Sequence, residues 1–207
     1  MPDDLKMNPW IRIWCSPRQT IREVVAYNPK HRFFALCVIY GLATLLPMAQ
    51  SFSLIEVYPF FAIVVGCIVF SPIVGAVGFY VATALLYWTG KMVGGSASFV
   101  QVRCAVSWAS VTNYVNLLFW MALIVYFQDQ VFCDTFAQSP FSKGEVLLVG
   151  SIYFLQFALS IWSFVLLLHT LGEVQGFSAW KSLLNVVISF VVMVGVLWIV
   201  GMALMRA

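Results

Sequence analysis

Residues 60–88 read FFAIVVGCIVFSPIVGAVGFYVATALLYW, a run without a single Asp, Glu, Lys or Arg. At 1.5 Å per residue, a helix of that length is roughly 43 Å long, more than the ~30 Å of hydrocarbon in a bilayer. Backbone groups in lipid must find partners within their own segment, which favours a helix. A barrel strand needs alternating polar and apolar residues in ~10-residue units, and Phe60 to Phe70 shows no such alternation. Ser71 and Pro72 fall in the middle of the run, with Gly66, Gly75 and Gly78 nearby. The reading is one long helix, kinked at Pro72 or protruding, with two re-entrant pieces as the alternative. The glycines and Ala82 read as close helix packing.

Working outward, four further uncharged runs lie at about 33–54, 104–127, 146–169 and 183–204. Each reaches the ~20 residues that a crossing helix needs. The chain as a whole has 207 residues, 62% of them hydrophobic and 9% charged, against about 25% charged in an ordinary soluble domain. This composition excludes a typical soluble fold, and its apolarity is the opposite of disorder. The expected fold is all-α: a polytopic membrane helix bundle of five transmembrane helices over residues 33–207, preceded by a basic arm over 1–32 that contains an amphipathic interfacial helix.

Charge placement sets the expected orientation. Six of the 11 Lys and Arg (Lys6, Arg12, Arg18, Arg22, Lys30 and Arg32) precede the first run. Next to a hydrophobic span such a cluster reads as a cytoplasmic retention signal rather than a nucleic-acid site. Lys91, Arg103 and Lys181 then fall inside as well, leaving Lys143 and Arg206 outside. The expectation is a cytoplasmic N-terminus and an external C-terminus, with the first span as an uncleaved anchor. Within the arm, Ser16 and Pro17 read as a helix cap and first helical position. Ile21, Val24 and Val25 share one face and Arg18 and Arg22 another. With Trp10, Arg12 and Trp14 ahead of them, this pattern suits a helix lying on an anionic leaflet.

The loops carry their own signals. Ser98 and Gln101 have capping-box spacing at the start of the third span, Gly172 reads as the stop of the fourth, and Ser178 as the cap of the last. Residues 128–145 are the longest connection. Cys15, Cys37, Cys67, Cys104 and Cys133 sit one per segment without CxxC spacing or a neighbouring His, a pattern of packing thiols rather than a metal site or disulfide framework. His169, at the end of the fourth run, reads as a cap on helix carbonyls, and His31 belongs to the arm.

No run contains a charge, whereas proton relays and ion pathways usually need one. The sequence has no HExxH, GxSxG or Walker motif, so no cofactor, metal or enzymatic activity is expected. What the runs do contain is neutral polarity at helical spacing: Ser107, Ser110, Asn113 and Asn116 in the third span, Tyr153, Gln156, Ser160 and Ser163 in the fourth, and Ser182, Asn185 and Ser189 in the fifth. Under the expected topology these stripes share the cytoplasmic half of the bilayer and should face one another. They serve as interhelical glue at about 0.6 kcal/mol per hydrogen bond, or they line a polar cavity for a small solute or lipid headgroup.

Two motifs add a resemblance. Trp14-Cys-Ser-Pro17-Arg18-Gln-Thr-Ile21-Arg22 is similar to the Trp…Pro-Arg-x-Thr entry of short members of the Yip (Ypt-interacting protein) family. Leu171-Gly-Glu-Val174-Gln-Gly176-Phe-Ser178-Ala-Trp-Lys181 resembles that family's Leu-x-x-Val-His-Gly-Leu-Ser-x-x-Lys-Ala turn before the last span. The resemblance implies five spans, a cytoplasmic N-terminus, and a non-enzymatic role in organising membrane or partner membrane proteins, trafficking-like in eukaryotic relatives. The Asp-Leu-Tyr-Gly-Pro motif and long cytosolic region of eukaryotic members do not precede the spans here, and a proline common in the third span is absent around Ser110 to Thr112. The chain therefore resembles a bacterial-type member, for which binding of a small GTPase is not implied. The expected partners are the bilayer, anionic lipids at the arm, and a membrane protein.

Overall fold

A computed structural model describes residues 8–205; Lys6 and Arg206, counted above for orientation, lie outside them. All regular structure among the described residues is helical: α1 (Pro9–Arg12), α2 (Pro17–Tyr27), α3 (Phe33–Ser51), α4 (Phe60–Met92), α5 (Phe99–Ala109), α6 (Asn113–Phe127), α7 (Lys143–Gln175) and α8 (Ala179–Leu204). Five stretches are long and apolar enough to cross a membrane: α3, α4, residues 99–132, α7 and α8.

The chain packs as two compact units, one of Met1–His31, Phe79–Ala109 and Val165–Ala207, the other of Arg32–Gly78 and Ser110–Phe164. Their charges differ in sign. Among the described residues the first unit carries Arg12, Arg18, Arg22, Lys30, Lys91, Arg103 and Lys181 against Glu23 and Glu173. The second carries Arg32 and Lys143 against Glu56, Asp129, Asp134 and Glu145.

The second unit is built on a close approach of α3 and α4. A Cβ on Gly41 would collide with the Ser71 carbonyl, and one on Gly75 with the Cys37 carbonyl. Pro72 leaves α4 unbroken. Proline has no N–H for the carbonyl four residues earlier, and the Ser71 hydroxyl instead donates to that carbonyl, Ile68 O, at 2.8 Å. Residues 60–88 thus form part of one helix, not a broken pair. Leu46, Ile63, Trp120, Leu123 and Ile152 form the core. The connection after α6 folds onto this core as short 3-10 turns. Phe127, Phe136 and Phe141 meet edge to face at 5.0–5.4 Å, and Gln50 Nε2 donates to Val131 O at 2.9 Å.

The first unit is organised around α5, in which all eight residues from Val102 to Ala109 are buried. Trp108 is held between Trp10, edge-on at 5.3 Å, and a stacked His31 at 6.3 Å. Ile13, Ile21 and Val24 are fully buried, so the apolar side of the arm rests on protein.

Four local details differ from expectation. The third span starts at Phe99, five residues before the uncharged run, so Arg103 lies inside its helix. The span is interrupted by a 3-10 turn at Ser110–Thr112 although it has no proline there. Gly172 does not stop the fourth span: α7 continues to Gln175, and Gly176, at φ +72°, takes the left-handed stop. Gly172 is small for another reason, since a Cβ there would stand 2.8 Å from Ser182 Oγ and 3.0 Å from Phe177 O. Ser16 occupies the cap position of α2 without a side-chain cap bond, whereas Ser98–Gln101 and Ser178 cap as expected.

Candidate functional site

Polar chemistry in the first unit gathers where α4 ends and α8 begins. Thr89 Oγ1 lies 2.6 Å from Asn185 Oδ1, 2.6 Å from Ser189 Oγ and 2.7 Å from Leu85 O. Ser189 Oγ also reaches Asn185 O at 2.9 Å. The two hydroxyl protons are shared among these oxygens, while Asn185 Nδ2 donates to Leu86 O at 3.2 Å. Thr89, Asn185 and Ser189 are all buried. Each would be costly to place against lipid, and each finds a partner.

At the end of α7, the side chain of buried Gln175 is inserted under residues 90–96. Its Nε2 donates to Leu86 O at 3.2 Å, and a Cβ on either Gly90 or Gly95 would collide with its amide. Ser96 N and Oγ both donate to Gln175 O at 3.4 Å. At 90 and 95 the amide of Gln175 fills the space a side chain would take. Thr170 Oγ1 adds a bond to Ala105 O on α5 at 3.2 Å.

The arm closes over the same end of α7. Arg22 Nε donates to Glu173 Oε1 at 2.7 Å, and Arg18 Nη1 stands 3.9 Å from Glu173 Oε2. Arg18 also donates to His169 Nδ1 and to Phe177 O, both at 3.4 Å, so His169 receives a side chain from the arm. The hydrogen bond and charge of Glu173 push the Arg22 guanidinium pKa further up. Arg12 lies 3.5 Å from Glu23, and Trp14 is half-buried. Arg103, buried in α5, donates from Nη1 to Tyr80 Oη at 2.7 Å and lies 5.4 Å from that ring's centre.

The polar residues singled out in the sequence are placed as follows. Asn185 and Ser189 come together in the first unit, around a Thr89 that the sequence reading passed over. Ser107 spends its hydroxyl on Cys104 O of its own helix, and exposed Ser160 does the same with Phe157 O. Ser110, Asn113, Asn116, Gln156 and Ser163 belong to the second unit and are partly buried. There Asn116 Oδ1 and Gln156 Nε2 are buried with no hydrogen-bond partner. Among the described residues no group of three or more His, Cys, Asp or Glu is placed to hold a metal ion.

A chain whose regular structure among the described residues is all helical, with five apolar stretches able to span a bilayer, is a multi-pass membrane protein. The family is shown directly: the model of the Yip1 domain matches residues 11–201, and the chain belongs to that family. No curated protein and no solved structure matches it.

Proposed function

We propose that the chain is a non-enzymatic organiser of its membrane, which gathers partner membrane proteins along the outer faces of its last two spans. The observation that carries this reading is the exposure of α7 and α8. Only 11% of the most apolar window of each is buried, against 33% for α3. Phe157 on α7 and Trp198 on α8 stand out as large exposed side chains. Lipid covers such a face by default, and a partner helix competes with lipid through van der Waals fit. In this reading the N-terminus is cytoplasmic, in a bacterial inner membrane, since the more cationic unit carries the arm. The test is a photo-crosslinking residue at 157 or 198 in native membranes, with 37 as a buried control. Defined protein adducts at 157 or 198 but not at 37 support the reading, and lipid adducts alone overturn it.

A second reading rests on Asn116 and Gln156. A buried acceptor and a buried donor without partners cost about 1–3 kcal/mol each, a cost that a bound polar solute or headgroup would remove. Leucine at either position then abolishes uptake while the protein stays abundant. If leucine only changes thermal stability in detergent, the residues are packing groups.

A further inference from the structure

At one rim of the first unit, two lysines and two tryptophans are not drawn into the protein. Trp88 and Lys91 stand at the end of α4, and Trp180 and Lys181 in the first turn of α8. The indoles are 70% and 81% exposed. The lysines are exposed and, among the described residues, neither has a carboxylate partner. Each lies beside an aromatic ring. Lys181 Nζ lies 4.5 Å from the Phe177 ring centre and 3.8 Å from where a Gly94 Cβ would be. Gly94 N in turn donates to Lys91 O at 3.1 Å, and Lys91 Nζ lies 5.5 Å from the Tyr87 ring centre. The two ammonium-bearing residues therefore flank a single glycine turn.

The arm differs. Its Arg12 faces Glu23, and Arg18 and Arg22 share Glu173, which together are all the carboxylates among the described residues of this unit. At the arm two carboxylates offset part of the charge of Arg12, Arg18, Arg22 and Lys30, whereas at the lysine rim no carboxylate among the described residues offsets Lys91 and Lys181. Exposed indoles settle at the boundary of acyl chains and headgroups, and an ammonium beside them meets the phosphates of that layer.

We propose that Lys91 and Lys181, flanked by Trp88 and Trp180, form a docking surface for anionic phospholipid headgroups of the surrounding bilayer. The proposal needs only that the chain resides in a membrane, and it stands or falls separately from the organising role. A lysine near an anionic surface contributes about five-fold to binding, so the pair contributes about an order of magnitude or more.

The test uses the full chain reconstituted into nanodiscs of phosphatidylcholine with a minor fraction of phosphatidylglycerol, and quantifies the lipid that remains bound after gentle detergent extraction. The native chain should retain phosphatidylglycerol preferentially, with the preference falling as salt rises. The K91Q/K181Q variant should lose that preference about ten-fold, while K91R/K181R keeps it and guards against a folding artefact. The R12Q/R18Q/R22Q variant should keep most of it. No preference in the native chain, an unchanged preference in K91Q/K181Q, loss in K91R/K181R, or an equal loss in the arginine variant would each overturn the proposal.

Discussion

Gly41 and Gly75 set how near α3 and α4 can come, because each faces a backbone carbonyl of the other helix rather than a side chain that can swing away. Alanine at either position must push the helices apart, and overpacking of this kind costs about 1–3 kcal/mol. Gly66, on the same α4, has nothing within 4 Å of its would-be Cβ. Alanine there is expected to be neutral or to stabilise by up to ~1 kcal/mol through helix propensity. Thermal unfolding in detergent checks the contrast: G41A and G75A melt lower than the native chain, and G66A does not. The sequence marks Gly75 as a packing glycine, but not which carbonyl it faces, since that depends on a register between helices that no local pattern encodes. Thr89 was missed for a related reason. In an uncharged run a threonine reads as filler, and only the meeting of α4 with α8 shows that its hydroxyl sits between Asn185 and Ser189.

At the scale of elements, α2 shows which of two forces fixes the arm. Its ion pair, Arg22 with Glu173, has an exposed guanidinium and is screened by solvent, whereas burying Ile21 and Val24 contributes about 1.5–3 kcal/mol for each side chain. Packing therefore dominates. I21D should release the segment and raise amide exchange across residues 17–27, while R22Q leaves exchange close to native; a large opening in R22Q would show that the charges carry the contact. The spans themselves were legible, because apolar length maps onto helices without reference to tertiary contacts. Their ends were less so. A run bounded by charge starts the third span at Cys104, yet Arg103 is accommodated inside the helix through Tyr80. The turn at Ser110–Thr112 has neither Gly nor Pro to announce it. Of the two glycines near the end of α7, Gly176 takes the left-handed stop, while Gly172 stays helical where Ser182 and Phe177 leave little room for a Cβ.

For the whole molecule, the contrast in charge between the two units bears on orientation, and the native cysteines can report it. Cys15 is exposed in the arm, Cys133 is half-exposed in the connection after α6, and Cys37, Cys67 and Cys104 are buried. Three membrane-spanning stretches, α3, α4 and residues 99–132, are placed between or up to those two accessible thiols. An odd number of crossings puts Cys15 and Cys133 on opposite sides. If the more cationic unit faces the cytoplasm, as its Lys and Arg excess predicts, an impermeant maleimide added to intact cells labels Cys133 alone. Cys15 is then labelled only after permeabilisation, and C133S removes the signal from intact cells. Labelling of Cys15 alone would invert the molecule and place the arm and the lysine rim at the outer leaflet. Labelling of both thiols in intact cells, or of both only after permeabilisation, would require an even number of crossings between them. That result could not be reconciled with α4 crossing as one continuous helix and α5–α6 as one interrupted span.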